Sequence, residues 1–242
     1  MRGGDGAARK VASDLSIVMA YAVEKRIVAT NPVSGARKPK AGKRHSYLTA
    51  EQVQALGAAL RAMEREGVNA TGIAIVRLLL LTGARPSELE KLKWSEVDIK
   101  ERCLKLGETK TGYSRRPLSP QATEIIAAQP RNAQVAYVFP ASRGEGHYTS
   151  SKQIWNEARL RAGLPNVVRY DARHMVATLA LSAGHDIASV AAIMGHAGPR
   201  TTLAVYAHVL DQNSIKAADD IADRVANAMQ REATTTRKAS NS

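Results

Sequence analysis

Cysteine is almost missing. Cys103 stands alone in 242 residues, so no internal disulfide can form, and no cluster of Cys and His has the spacing of a structural zinc site. Aromatic residues make up only 4%, which argues against a protein that grips single strands by stacking bases on rings and favours contacts to duplex phosphates. Long hydrophobic runs are also lacking: none approaches the length of a bilayer-spanning helix. Met1 to Lys10 is Gly-rich and charged where a signal peptide would carry an apolar core. The expectation is a soluble protein of a reducing cytoplasm, with no membrane partner.

What is abundant is positive charge. The 35 Lys and Arg against 22 Asp and Glu give a formal net charge of +13, and a polyanionic partner is the natural reading. Basic composition would equally suit a ribosomal or membrane-surface protein, so it ranks partners without naming an activity. Apolar residues amount to 44% and fall in periodic segments, which excludes a disordered chain. The length allows one domain plus a fragment, or two small domains.

Residues 11 to 28 place Leu15, Val18, Met19, Ala22 and Val23 at helical spacing, with Asn31-Pro32 as the stop. A lone helix cannot form its own core, so residues 1–34 are expected to be the end of a larger unit. Residues 35–46 form a basic linker with no apolar periodicity, where Lys43 and Arg44 are candidate DNA contacts. The next unit opens on Thr49-Ala50-Glu51-Gln52, a capping-box pattern that predicts a helix to about Arg65. Further helices are predicted over Ala70–Leu81, closed by Gly83; over Pro86–Leu92; from Ser119-Pro120; over Ser151–Ala162; over Asp171–Ala183; and from Asp186 to Gly195. Val97–Ile99, Cys103–Leu106 and Arg115–Leu118 read as short strands. The fold class is therefore mainly α with a small antiparallel β-sheet (α+β). Residues 47–210 form the main domain, and 211–242 a C-terminal helix and flexible tail, with Ile215, Ala218, Ile221 or Ala222, Val225 and Met229 as an apolar stripe.

Four separated segments carry chemistry together. LLLLTGARPSEL, from Leu78, puts Arg85 after a glycine turn at the mouth of a helix, beside backbone N–H groups that favour an anion. ETKTGYSRRPL, from Glu108, puts Lys110 at a hairpin. YDARHMVATLALSAG begins at Tyr170, and IMGHAGPRTTLAVYAHV at Ile193. Each alone is a short pattern that an ordinary helix start, hairpin or half-buried aromatic would satisfy. Four in this order, ending in Gly-His and a tyrosine ten residues on, form a specific signal.

From Arg44 to Val209 the sequence resembles the tyrosine recombinase, or phage integrase, family, and the helix before the linker resembles the end of that family's core-binding domain. The resemblance implies the catalytic-domain fold of that family and a site-specific recombinase that cleaves and rejoins duplex DNA for a mobile genetic element. Carried over by position, the catalytic residues are Arg85, Lys110, Arg173, His196 and Tyr206, with Glu88 and His174 in support. Tyr170 is a departure: most relatives have histidine three residues before the second arginine. A phenol there implies slower cleavage, and Tyr170→His is expected to raise the rate of covalent-adduct formation. Arg115 and Arg116 beside the hairpin are candidate phosphate contacts. No metal and no cofactor are implied. The partners are double-stranded DNA, a homo-oligomer that is a tetramer on DNA, and accessory DNA-bending proteins, with residues 211–232 assembling in trans.

The chemistry suits these residue types. Breaking a phosphodiester requires neutralising charge that builds on two non-bridging oxygens, and arginine donates paired hydrogen bonds while staying charged. An ordinary tyrosine has a pKa of about 10, and nearby guanidinium charge is expected to lower it. Two other readings stay open: a truncated DNA-binding remnant that does not turn over, and a topoisomerase-like nickase.

Overall fold

The computed structural model describes residues 4–36, 48–109, 112–196 and 198–230. It forms two compact units, Met1–His45 and Ser46–Ser242. In the first, α1 (Asp5–Glu24) ends earlier than the sequence predicts. The Ile27 N–H reaches back to the Ala22 carbonyl at 2.9 Å, and Arg26 takes the left-handed conformation, with φ 57°, that closes a helix in this way. Asn31 is not the stop. Its side-chain amide donates to the Ser16 carbonyl at 3.0 Å and its oxygen accepts from the Val33 N–H at 2.9 Å, clipping the returning chain to α1. Val11, Leu15 and Val18, at i, i+4 and i+7, stay exposed, so α1 leaves an apolar stripe uncovered within its own unit.

The second unit is built around α3 (Ala70–Thr82), which lies against α2 (Ala50–Arg65), α4 (Pro86–Glu90), α5 (Pro120–Ala127), α6 (Ser151–Arg161) and α7 (Arg169–Ser182). Helix α2 starts as predicted, with Thr49 and Gln52 exchanging backbone-to-side-chain bonds at 3.3 and 3.0 Å. Helix α3 is apolar on every side because both its flanks are buried. One flank joins Ile75, Leu78 and Leu79 to Leu89, Leu104, Leu106, Ile126 and Phe139. The other joins Ile73 and Val76 to Leu56, Leu60, Met63, Trp155 and Met175. A third cluster ties α7, through Ala177 and Leu181, to Val190 and Met194 of α8 (Ile187–Met194) and to Tyr206 of α9 (Pro199–Gln230). Helix α9 continues through residues 210 and 211 without a break, its one irregularity being Tyr206 at φ −114°, ψ 16°. Among the described residues no helix is long and apolar enough to cross a membrane.

Strands β1 (Val97–Asp98), β2 (Cys103–Thr109) and β3 (Gly112–Pro117) form an antiparallel sheet in the order β1-β2-β3. The hairpin strands run further than apolar alternation predicts. Their ends pair Thr109 with Gly112 across an irregularity after Leu106, so hydrogen bonding of polar residues holds them there. Register decides the fate of two neighbouring arginines. Arg116 lies opposite Leu104 and shares the inner face with Leu104 and Leu118, whereas Arg115 points outward.

Candidate active site

Helix α3 closes on Gly83 in the left-handed conformation, φ 61°, and the chain re-enters a helix at once, with Arg85 as N-cap and Pro86 in the first turn. This turn brings Glu88 back onto Arg85. The Arg85 N–H donates to Glu88 Oε2 at 2.8 Å and its guanidinium to Oε1 at 2.7 Å. Arg116, only 3% exposed, donates to the same carboxylate through both terminal nitrogens, at 2.9 and 2.8 Å. Glu88 therefore accepts four hydrogen bonds. Burial alone would raise its pKa, but the Arg116 charge and the bonds from Arg85 and Arg116 outweigh it and hold the carboxyl below its ordinary value.

Arg173, 2% exposed, approaches from α7. Its Nη1 donates to the Gly83 carbonyl at 2.8 Å, and its Nη2 to the Met194 carbonyl. These carbonyls close α3 and α8, the negative ends of two helices, and so offset the cost of burying the guanidinium. Burial and then the Arg85 charge lower the Arg173 pKa, yet a guanidinium stays protonated at any accessible pH. Gly195 caps α8 with φ 58°. A Cβ there would lie 2.1–2.4 Å from the Arg116 guanidinium atoms, so glycine is needed for both conformation and space.

His196 follows, with Nδ1 2.7 Å from the hydroxyl of Thr202 in the first turn of α9. Burial, then the charges of Arg173, Arg85 and Arg116, lower its pKa to about 4. It is a neutral imidazole at neutral pH. One helical turn beyond Thr202, Tyr206 is 5% exposed, and its hydroxyl lies 2.8 Å from Nδ1 of His174. Tyr170 meets the His174 ring edge-on, with centroids 5.0 Å apart. Guanidinium charge does not prevail at Tyr206: burial pushes the phenol up to about 12, opposed by Arg173 and reinforced by Tyr170. The expected lowering is overturned because the ring lies among Ala177, Leu181, Val190 and Met194, where a phenolate loses its hydration.

The structure thus gathers Arg85, Glu88, Arg116, Arg173, His174, His196 and Tyr206 from the four separate segments. Tyr170 sits at the edge, 49% exposed. Three guanidiniums against one carboxylate, with His196 neutral, leave a charge of +2 in the pocket. That arrangement is chemically fit to receive a phosphate. Arg116, a candidate phosphate contact beside the hairpin, is buried as the second partner of Glu88, and period-2 alternation through Ser114, Arg116 and Leu118 is the signal that finds its inward face. Arg115 does face outward, 3.4 Å from Glu101. Thr202 carried no sequence signal, since its role depends on a packing contact. Lys43, Arg44 and Lys110 lie outside the described residues.

The sequence profile of the phage integrase family matches residues 46–213. The chain belongs to the phage integrase family. Among curated relatives, the prophage integrase IntF of Escherichia coli (strain K12) is 31% identical over 161 residues, which cover 64% of this chain and 34% of IntF. The chain thus spans well under two thirds of that relative's length. The Tn1549 transposon integrase, solved in complex with transposon right end DNA, superposes with a TM-score of 0.66 at 17% identity over 91% of this chain and 86% of that one. Lambda integrase, solved as a tetramer bound to a Holliday junction, gives 0.62 at 22% identity, covering 80% and 59%. Both share the fold.

Two expectations follow for this integrase-family site. Gly195→Ala should displace Arg116 and add about 1–3 kcal/mol of backbone strain; a denaturation midpoint within error of the parent would refute the close approach. Acid should weaken the fold in two stages. The unfolded chain protonates His196 near 6.5 and the folded chain only near 4, so stability is full above pH 6.5 and falls as pH drops toward 4. Glu88, held below 4.5, contributes stability above that value and loses it as pH falls through its folded pKa. Urea midpoints against pH should show a shallower decline between 6.5 and 4.5 in His196→Gln; an unchanged slope there would contradict the assignment.

Proposed function

We propose that this chain carries the catalytic part of a site-specific DNA recombinase. Tyr206 attacks a phosphodiester of duplex DNA, forming a 3′-phosphotyrosyl bond and releasing a 5′-hydroxyl, and the reverse step joins the strand to another end. The carrying observation is the convergence of Arg85, Arg173, His196 and Tyr206: the Arg85 and Arg173 charges both act on His196, and the Arg173 charge acts on Tyr206. Arg85 and Arg173 clamp the two non-bridging oxygens. Glu88 and Arg116 hold Arg85 in place, and His196, uncharged, hydrogen-bonds the phosphate. Lys110 protonates the leaving 5′-oxygen. The covalent bond conserves the energy of the phosphodiester, so the scheme uses no ATP, metal or cofactor.

Partners follow by the same reading. The two solved neighbours, one in complex with transposon right end DNA and one a tetramer bound to a Holliday junction, support duplex DNA as substrate and a tetramer as the working assembly; accessory bending proteins at the site are a further part of the proposal. Residues 1–34 act as the end of a core-binding domain and 35–46 as the basic linker to it, with Lys43 and Arg44 on the DNA backbone, as is Arg115. Residues 47–210 carry the chemistry. The exposed Ile221, Val225 and Met229 of α9 support docking of residues 211–232 on a neighbouring subunit. The work is done where the DNA lies, in the cytoplasm at the nucleoid.

Incubation with a nicked, end-labelled duplex followed by denaturing electrophoresis tests the proposal. A covalent adduct is expected. The burial of Tyr206 favours a second reading, binding without turnover, which gives a mobility shift and no adduct.

A further inference from the structure

We propose that His174 takes the proton from Tyr206 as the phenol attacks, a role that rests on the strand-cleaving reading above. Nδ1 of His174 lies 2.8 Å from the Tyr206 hydroxyl, and among the described residues this is the hydrogen bond which that hydroxyl makes. The other candidates face elsewhere. His196 directs its Nδ1 to Thr202 at 2.7 Å. Tyr170 packs edge-on against the His174 ring, and a neutral phenol accepts protons poorly.

The placement follows from helix geometry. Arg173 and His174 are consecutive on α7, so they point about 100° apart around its axis. Arg173 turns to the closing carbonyls of α3 and α8, and His174 turns to α9. One helix thereby holds the phosphate clamp and the proton acceptor at a set separation. Tyr170, one turn before His174 on the same face, and Tyr206 from α9 flank the ring. Ionisable groups near the pair include Tyr170 of α7, against the ring, and Arg173 of α7, whose charge acts on Tyr206. The Tyr206 kink in α9 sets the direction of its hydroxyl. A buried phenol held up at about 12 needs a partner in contact to lose its proton at neutral pH.

The step balances. The phenolic proton passes to Nδ1 of His174, neutral and carrying its own hydrogen on Nε2. The oxygen's electron pair forms the bond to phosphorus, the bond from phosphorus to the 5′-oxygen breaks, and that oxygen takes a proton from Lys110. In religation Lys110 recovers its proton from the attacking 5′-hydroxyl, the phosphotyrosyl bond breaks, and His174 returns its proton to Tyr206.

The test is the adduct rate of the full chain on a nicked duplex in His174→Asn, whose side-chain oxygen can accept a hydrogen bond where Nδ1 stood but cannot take the proton. Adduct formation should slow about 10²- to 10⁴-fold, while duplex affinity by mobility shift and the unfolding midpoint stay near the parent's. Replacing Tyr206 in that variant by a fluorinated tyrosine of lower pKa should restore at least roughly tenfold; His174→Gln serves if the Asn variant unfolds. An unchanged rate overturns the assignment. So does a faster rate, which would make the contact a restraint on Tyr206, or a slowed rate that fluorotyrosine does not rescue, which would leave His174 only a positioning residue. If the unmodified chain forms no adduct, the strand-cleaving reading falls and this role with it, and that outcome is visible before any variant is made.

Discussion

Tyr206→Phe is expected to abolish the covalent adduct on a nicked duplex, a loss of more than about 10³-fold, while leaving duplex binding intact. The hydroxyl is the only atom removed. The ring stays packed among Ala177, Leu181, Val190 and Met194, and the lost hydrogen bond to His174 contributes about 1 kcal/mol, so the fold survives. Binding draws on Lys and Arg contacts to phosphates, whose number sets the salt dependence, and none of these changes. The measurement pairs a denaturing gel for the adduct with a mobility shift at two salt concentrations. Adduct persisting in the Phe variant would move the nucleophile elsewhere, with Tyr170 the first place to look, since it lies one ring away.

Arg173→Lys should cost nearly as much, despite keeping the charge. Arg173 bridges the carbonyls that end α3 and α8 through two nitrogens of one rigid plane. A lysine ammonium is a single point at the end of a flexible stem and cannot span both carbonyls and still face a phosphate. Adduct formation should fall about 10²- to 10³-fold, the range for removing one preorganised donor to a developing oxyanion. Stability should fall by about 1–3 kcal/mol, because one buried carbonyl loses its partner. Single-turnover adduct rates and urea unfolding measure the two losses. A lysine variant that cleaves at the parent's rate would show that the bridge is structural and that the clamp lies elsewhere.

Glu88 links these expectations. It neutralises one of the three guanidiniums and so keeps the pocket from being overwhelmed by its own repulsion before DNA arrives. Its support of Arg85 is what the family resemblance implies, and the structure supplies the reason: the residues stand three apart at a helix start, where side chains fold back on the N-cap. Its pairing with Arg116 was not legible in the sequence, since 28 residues separate them. The sheet register alone sets that distance.

The same division holds across the molecule. The start of α2 at Thr49, the glycine stops of α3 and α8, the strand-rich segment and the order of the four motifs were all readable, because capping, left-handed closure and apolar alternation act over a few residues. The end of α1 was misjudged at Asn31, since an arginine took the left-handed position usually left to glycine. Which face of β3 is buried, whether Tyr206 is acidic or alkaline, and which histidine touches it depend on side chains brought together from distant parts of the chain. Only tertiary packing decides them, because desolvation and the field of neighbouring charges exist only once the surroundings have been assembled.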